Sequence, residues 1–462
     1  MTVFGRIPTN RRRATTHWLL LATFALWLSA CQQEPEPPAT TLDDELSALL
    51  LEQSLDGTLR FFQLPESDDY NRIPQDPANR LTPEKVALGR FLYHETGIAR
   101  NPRDTTGMGT YSCASCHFAS AGFQAGRHQG IGEGGAGFGL NGEGRARRPD
   151  YNVLNIDVQP IRSPATLNAA YQIAMLWNGQ FGAKGVNAQT EYAWTEGTPK
   201  EVNRLGFHGV ESQAIAGLSV HRQLEDTSNV SGLPGYKALF DAAFPERPES
   251  ERYARIPAGL AIAAYERTLL ANQAPFQRWL RGEQEAMNEL EKAGAMVFFG
   301  KGQCSNCHTG PALNSMAFHA LGMGDLMDCP EEVLLTPVTA AEHLGRGGFT
   351  NRPEDMYKFK VPQLYNLKDS PFYGHGGTLR SIRAVVEYKN AAAPENANVP
   401  ASQLADEFVP LGLTPGEVDA LVAFIESALY DPNLKRYEPE ALPTGLCFPN
   451  ADPASQIDLG CQ

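Results

Sequence analysis

The alternation of hydrophobic and polar positions along the chain predicts helices separated by long irregular segments. Residues 82–92 combine a threonine cap, a first-turn proline and apolar residues on one helical face. Residues 288–299 begin with the capping box Asn-Glu-Leu-Glu and continue into an apolar run. Two more patterns of helical period cover residues 256–270 and 414–429. The chain is therefore expected to be mainly α.

Glycine and proline interrupt these patterns often, with 43 and 33 residues among 462. Nine of the glycines fall between residues 126 and 144, so this stretch is expected to be irregular or mobile. Residues 137–142 match G-x-G-x-x-G, but no predicted strand precedes them and no predicted helix follows. The match therefore does not indicate a nucleotide site.

Two copies of C-x-x-C-H, at residues 113–117 and 304–308, carry the candidate chemistry. This spacing is typical of haem c attachment, in which two thiols bond the porphyrin and the adjacent histidine ligates the iron. Zinc binding or disulfides are the alternatives, but the repetition of the whole motif favours two covalently bound haem c groups. The predicted attachment and proximal residues are Cys113, Cys116, His117, Cys304, Cys307 and His308.

The segments before the two motifs, EKVALGRFLYHETG and EKAGAMVFFGKGQ, resemble each other and indicate a degenerate internal repeat. Each unit is expected to serve one haem. We therefore predict two cytochrome c-like haem domains with long irregular loops, at residues 81–245 and 246–435, followed by a tail at 436–462. Prolines and charged residues cluster at 244–253 and suggest the boundary.

The N-terminus has the features of an export signal. Residues 1–30 hold arginines and then a short apolar run, and Leu-Ser-Ala-Cys ending at Cys31 resembles the lipobox of bacterial lipoproteins. These features predict a signal peptide at 1–30 and a lipid anchor on Cys31, with an ordinary signal peptide as the alternative. Residues 31–80 are expected to hold a proline-rich tether and an N-terminal extension. The expected location is the periplasm, anchored to a membrane, and Gln32 favours the outer one.

Charge and cysteine content narrow the expected partners. The formal charge is −14, and removing the four arginines of the leader leaves 35 basic and 53 acidic side chains, a balance of −18. No basic stripe is left for nucleic acid, whereas docking of a basic redox protein is compatible with this charge.

Cys447 and Cys461 are candidates for a disulfide that closes the tail, with Cys329 left over, although the sequence leaves the pairing open.

The order of these parts resembles the bacterial di-haem cytochrome c peroxidase family, which includes the enzyme that oxidises tryptophans in methylamine dehydrogenase maturation. The resemblance covers residues 81–430 and implies a peroxidatic N-terminal haem on His117 and an electron-transfer C-terminal haem on His308. Besides the two C-x-x-C-H motifs, it rests on KVALGRFLYH, SPATLNAAYQIAMLWNGQ, ESQAIAG, AIAAYERTLL, APFQRWLRG, FKVPQLYNL and FYGHGG.

The resemblance implies roles for several residues near the first haem. Trp177 matches a tryptophan that lies between the haems, with a core aromatic as the alternative. Gln213 matches a glutamine that precedes a catalytic carboxylate by ten residues, but Gln223 stands at the carboxylate position, and a carboxamide is not a general base. His221 and Glu225 are the candidate replacements, and His221 has the better intrinsic pKa. A surface histidine is the alternative for His221.

Three further positions concern iron ligands and calcium. His128 matches a loop histidine that caps the resting catalytic iron in many relatives, with a solvent-exposed histidine as the alternative. At the second haem, the expected distal ligand lies fourteen residues after His375, where the family has methionine or tyrosine and this chain has Lys389, with Tyr388 beside it. The family's calcium-binding asparagine is replaced by Arg162, so calcium binding is left uncertain.

These observations favour an exported di-haem c peroxidase that reduces hydrogen peroxide to water. Electrons would come from a small periplasmic cytochrome c or a cupredoxin and would pass from the C-terminal to the N-terminal haem. The first alternative uses peroxide to oxidise a protein side chain, and the missing methionine favours it. The second is a non-enzymatic di-haem electron carrier, which the altered carboxylate position favours. A homodimer is left open.

Overall fold

The computed structural model describes residues 41–461. The predicted signal peptide at 1–30, the predicted lipid anchor on Cys31 and the proline-rich tether lie outside the described residues. Within the described part, no helix is long and apolar enough to cross a membrane.

Twelve short helices and two small antiparallel ribbons form the regular structure of this part of the chain, and the mainly α prediction is confirmed. Single 3₁₀ turns occupy much of the remaining chain. The helices are α1 Leu42–Gln53, α2 Pro83–His94, α3 Gly209–Val220, α4 Tyr236–Ala243, α5 Glu249–Arg252, α6 Arg255–Thr268, α7 Pro275–Leu280, α8 Glu289–Phe299, α9 Arg346–Thr350, α10 Ile382–Ala391, α11 Pro415–Ala423 and α12 Pro453–Leu459. The strands are β1 Gly135–Ala136 paired with β2 Ala146–Arg147, and β3 Phe318–His319 paired with β4 Phe359–Lys360.

The predicted helix starts are confirmed by their caps. The Thr82 side chain accepts from the backbone N–H of Lys85 at the start of α2. Capping boxes form at Asn288 before α8 and at Thr414 before α11. The α11 helix continues into a π-helical turn at Phe424–Ala428, which accounts for the longer pattern expected there.

A close helix crossing precedes each C-x-x-C-H motif. The α2 helix crosses α6 at Gly89, where an added Cβ would collide with the carbonyl of Ala261. The α8 helix crosses α11 at Gly294, where an added Cβ would collide with the carbonyl of Ala420. Only glycine allows backbones to approach this closely. The internal repeat is thus visible as two helix pairs, each leading into one attachment motif.

One hydrophobic core runs through both predicted haem domains, from Leu46 in α1 to Tyr437 near the C-terminus. The predicted boundary at residues 245–246 falls next to α5 and stays a prediction. The α1 helix was not predicted; its Asp43 accepts from Lys292 Nζ at 2.9 Å and from Trp279 Nε1 at 2.6 Å. These contacts fix the N-terminal extension against the second helix pair.

The C-terminal tail folds back onto the first half of the chain. Its two candidate cysteines, Cys447 and Cys461, form a disulfide, which settles the pairing that the sequence left open, and Cys329 is an unpaired buried thiol. The carboxylate of Asp452 forms a buried ion pair with Arg145 at 3.2 Å. The tail is therefore part of the wall around the glycine-rich stretch.

The glycine-rich stretch at 126–144 is irregular, as predicted, but it is firmly held. The Arg145 guanidinium donates to the carbonyl oxygens of Ile131 and Gly132 at 2.5 and 2.7 Å. Asp458 of α12 accepts from the backbone N–H of Phe138 at 2.7 Å. Apart from the short strand β1, the backbone of this stretch is therefore held by hydrogen bonds to side chains outside it.

Candidate functional site

The first C-x-x-C-H motif fits a covalently attached haem. Residues Cys113–Ser115 form a 3₁₀ turn, and both Cys113 and Cys116 are unpaired thiols. His117 Nδ1 lies 3.4 Å from the carbonyl oxygen of Phe123, which leaves Nε2 as the nitrogen that can face an iron. Burial lowers the pKa of His117 to about 4, so the ring is neutral at pH 7, as a metal ligand must be.

The second motif has the same design. His308 Nδ1 lies 3.1 Å from the carbonyl oxygens of both Leu313 and Pro362, and burial lowers the pKa of His308 to about 4. Cys304, Cys307 and His308 line one cavity of about 300 Å³. Both sites therefore offer two thiols and one oriented, neutral imidazole.

His221 is brought into the pocket that contains Cys113, Cys116 and His117. It follows the last turn of α3, and its Nδ1 lies 2.8 Å from Asp157 Oδ2. Since the carboxylate accepts at Nδ1, Nε2 carries the lone pair, and the Gln159 amide lies 3.2 Å from it. The ring is thus held in a defined orientation within the pocket and is not a free surface histidine.

The electrostatics of His221 and Asp157 are coupled. Burial alone would lower the pKa of His221, but the charge and hydrogen bond of Asp157 outweigh burial and raise the pKa above its ordinary value. Burial raises the pKa of Asp157, and the pair with His221 reverses this, so that its pKa lies below the usual value. The two side chains therefore form a coupled acid–base pair.

Three further polar side chains line the same pocket. Gln213 Oε1 is buried and has no hydrogen-bond partner among the described residues, and Gln223 Oε1 lies 3.5 Å from Cys113 Sγ. Glu266 of α6 is buried, its Oε2 likewise lacks a partner within residues 41–461, and burial together with the charge of Glu211 raises its pKa to about 8. Glu266 is therefore protonated at neutral pH and offers the pocket a second proton donor.

His128 lies outside the residues that line the His117 pocket. It is 2% exposed, so the alternative of a solvent-exposed histidine is wrong. Its Nε2 lies 3.0 Å from the carbonyl oxygen of Glu332, and its ring packs against Phe372. Its role as a distal ligand stays a prediction, and it would require His128 to leave Glu332.

The side chains of Lys389 and Tyr388, the two candidates for the distal ligand of the second haem, point in different directions. Lys389 of α10 lines the cavity of His308, whereas Tyr388 lies outside that lining and donates its hydroxyl to the carbonyl oxygen of Leu321 at 2.6 Å. Burial lowers the pKa of Lys389 to about 8, so part of the population has a neutral amine near pH 7. Met323 lines the cavity as well. The geometry favours Lys389 over Tyr388.

Trp177 lines the His308 cavity and is fixed at both its side chain and its backbone. Its Nε1 donates to the carbonyl oxygen of Arg162 at 2.8 Å, and its own carbonyl oxygen accepts from the backbone N–H of Lys360 at 2.8 Å. The side chain is partly buried. Its expected position between the two haems stays a prediction.

No group of three or more His, Cys, Asp or Glu side chains in the described part of the chain is arranged to hold a metal ion. Backbone carbonyl oxygens, which also ligate calcium, do not count toward such a group.

Sequence reasoning missed Asp157, Gln159 and Glu266. Asp157 and Gln159 lie in an irregular stretch without a motif, about sixty residues before His221. The sequence did offer a sign of Glu266, because this acid directly follows an apolar helical run at residues 258–265. An acid in such a run is expected to be either paired or functional.

The fold and the two sites define a protein built to hold two haem groups. Comparison with known proteins agrees. Residues 83–285 match the family model described as di-haem cytochrome c peroxidase. The methylamine utilization protein MauG of Methylorubrum extorquens is 29% identical over 386 residues, which cover 82% of this chain and 87% of that protein. The cytochrome-c peroxidase IdrP1 of Denitromonas iodatirespirans is 29% identical over 374 residues, which cover 77% and 84%.

A solved structure shares the fold. The crystal structure of a MauG-like protein associated with microbial copper homeostasis covers 80% of this chain and 95% of its own, with a TM-score of 0.52 and 22% identity. Over most of its length, the chain is thus similar to members of the di-haem cytochrome c peroxidase family.

Proposed function

We propose that this chain is an exported di-haem c peroxidase that reduces hydrogen peroxide to water with electrons from a small redox protein. The observation that carries the proposal is the group formed by His221, Asp157 and Gln159 in the His117 pocket. Relatives named cytochrome-c peroxidases support the peroxide chemistry.

The reaction consumes one hydrogen peroxide, two protons and two electrons and yields two water molecules. Haem, covalently held by Cys113, Cys116 and His117 at one site and by the second motif at the other, would supply the redox chemistry. The protein must move a proton from the near to the far peroxide oxygen, because water is a better leaving group than hydroxide.

His221 is the residue suited to this proton movement. Its Nε2 carries the lone pair because Asp157 fixes the proton on Nδ1. The Gln159 amide at 3.2 Å holds Nε2 in place until a substrate displaces it. Glu266, with its pKa raised to about 8, is the candidate second donor. His221 therefore replaces the carboxylate that Gln223 cannot supply.

Electrons are proposed to pass from the His308 site to the His117 site by way of Trp177. The indole lies at the edge of the His308 cavity, and its hydrogen bond to the Arg162 carbonyl fixes its orientation. Lys389 is proposed as the distal ligand of the C-terminal haem, since its side chain faces that cavity.

The electron donor is proposed to be a small periplasmic cytochrome c or cupredoxin with a basic docking face. The acidic balance of the chain supports this choice. The leader and Cys31 support export and a lipid anchor on the periplasmic side, with the outer membrane favoured.

The test is a visible absorption titration of half-reduced holoprotein with stoichiometric hydrogen peroxide. Rapid two-electron oxidation, followed by turnover when reduced cytochrome is added, is the expected result. The variant His221→Leu should load both haems and react with peroxide about 10²–10⁴-fold more slowly. A wild-type protein that stays low-spin and inert would show that the chain only carries electrons.

A second candidate function uses peroxide to oxidise a side chain of another protein. The specific observation in its favour is Lys389, because methionine raises the iron potential and an amine does not. In that case peroxide would oxidise the half-reduced protein, and added cytochrome would sustain little turnover.

A further inference from the structure

Arg162 is a fully buried cation at 1% exposure, and each acceptor of its guanidinium is a neutral oxygen. Nε donates to the carbonyl oxygen of Phe372 at 2.8 Å, and Nη1 donates to that of Arg127 at 2.5 Å. Nη2 donates to the carbonyl oxygen of Ala125 at 3.3 Å. It also donates to the remaining two acceptors, Gln124 Oε1 at 3.4 Å and the hydroxyl of Ser370.

No carboxylate pairs with Arg162 among the described residues. Two other buried arginines have acids: Arg267 pairs with Glu211 and Arg145 with Asp452. Arg346, at 5% exposure, shares the lack of an acid with Arg162. Burying an unpaired charge is costly unless dipoles replace the lost water. The five oxygens around Arg162 are those dipoles, so the polypeptide has built a cage for a positive charge.

The cage joins the two haem-binding halves. Residues 124–127 follow the first attachment motif, and residues 370–372 precede His375 in the wall of the His308 cavity. The backbone N–H of Arg162 donates to the carbonyl oxygen of His375 at 3.0 Å, and its carbonyl oxygen accepts from Trp177 Nε1 at 2.8 Å. One residue thus contacts both segments and the Trp177 indole.

We propose that the Arg162 guanidinium is a built-in structural cation that joins residues 124–127 to residues 370–372 and so holds in place the backbone carbonyl that accepts from Trp177. The protein then needs no free metal ion at this place. Five neutral oxygens are also a large part of the ligand set that calcium takes, which is six to eight oxygens. Removal of the guanidinium therefore leaves a vacant cage that a calcium ion and waters can fill.

The experiment compares wild-type holoprotein with Arg162→Ala, Arg162→Lys and the control Arg346→Ala. Arg346 is also buried without an acid, but its acceptors are three oxygens, those of Asn178, Val186 and the Asn187 side chain. Calcium binding is measured by titration calorimetry, and stability by the thermal midpoint with chelator or with excess calcium. Neither readout depends on peroxide turnover, so the proposed function and this proposal fail separately.

The wild-type midpoint is expected to be the same with chelator and with calcium. Arg162→Ala should lose stability, bind about one calcium ion with a dissociation constant of roughly 10⁻⁴–10⁻³ M, and regain its midpoint in calcium but not in magnesium, which demands tighter octahedral geometry. Arg162→Lys should bind no calcium because the charge remains. Arg346→Ala should lose stability without a calcium response.

Three results would overturn the proposal. The first is a wild-type midpoint that falls on chelation and returns with calcium. The second is an Arg162→Ala holoprotein that binds no calcium, or one that cannot be obtained even when calcium is present. The third is an equal calcium response in Arg346→Ala, which would mean that any buried arginine vacancy binds the ion.

Discussion

Asp157→Asn tests whether the His221–Asp157 pair is the acid–base unit of the pocket. The substitution removes the charge and keeps the size of the side chain. The backbone of Asp157 should stay in place, since its N–H donates to Glu133 at 3.0 Å and its carbonyl oxygen accepts from Gly132 at 2.9 Å. The change therefore acts on His221 and not on the local fold.

The expected magnitude follows from the 2.8 Å contact between Asp157 Oδ2 and His221 Nδ1. A hydrogen bond to a charged group contributes about 1.5–3 kcal/mol, and one pKa unit corresponds to about 1.4 kcal/mol. Losing the carboxylate should thus lower the pKa of His221 by about one to two units. The base form is neutral His221, and it is lost as the pH falls through the raised pKa. In the variant this loss should occur at lower pH.

The assay is the pH dependence of the reaction of half-reduced holoprotein with peroxide, together with steady-state turnover. The acidic limb should move down by about one to two pH units, and the plateau should fall roughly ten- to a hundredfold because the tautomer is no longer fixed. Asp150→Asn is the control, since Asp150 is an exposed carboxylate paired with Arg148. An acidic limb that does not move in a folded Asp157→Asn protein would refute the reasoning.

Three more predictions address the second helix pair and the His308 cavity. Gly294→Ala should destabilise the holoprotein by about 1–3 kcal/mol in denaturant unfolding, because the added Cβ meets the α11 backbone. The control Gly416→Ala has open space around it and should stabilise the holoprotein by about 0.4–1 kcal/mol. Equal effects of the two substitutions would contradict the close crossing of α8 and α11. Lys389→Met should raise the potential of one haem by on the order of 100 mV in a spectroelectrochemical titration, and an unchanged potential would remove Lys389 from the iron. Trp177→Phe should slow electron transfer between the two sites in stopped-flow absorption while both haems still load, and an unchanged rate would take the indole off the path.

The parts of this molecule that the sequence made predictable are local. A cap at Thr82 and a box at Asn288 involve contacts across three residues, so both helix starts could be read directly. The attachment motifs are equally compact, because both thiols and the histidine belong to one turn. The disulfide between Cys447 and Cys461 also closes a short separation of 14 residues. Contacts within such distances depend little on how the rest of the chain folds.

Contacts that join distant segments were out of reach for the same reason. The glycine-rich stretch was expected to be irregular or mobile, because glycine suggests freedom and nothing near it shows a restraint. One restraint comes from Asp458, which lies more than 300 residues away. The other, Arg145, directly follows the stretch, but its ion pair with the distant Asp452 holds it in position. The α1 helix is a second example. Its capping box at Thr41 is local, but the contacts that hold it against the core are those of the Asp43 carboxylate with Lys292 and Trp279, more than 200 residues away.

The distal pocket shows the limit most clearly. Counting ten residues from Gln213 identified Gln223 as the position of the missing carboxylate, and the absence of an acid there suggested a weakened pocket. The structure assembles the acid–base group from separate segments instead: Asp157 comes from an irregular stretch, His221 from the end of α3 and Glu266 from α6. A lost side chain at a fixed offset therefore does not mean that the pocket lacks titratable groups. The proposed proton transfer needs a titratable group with a fixed orientation, and the 2.8 Å contact between His221 Nδ1 and Asp157 Oδ2 supplies one.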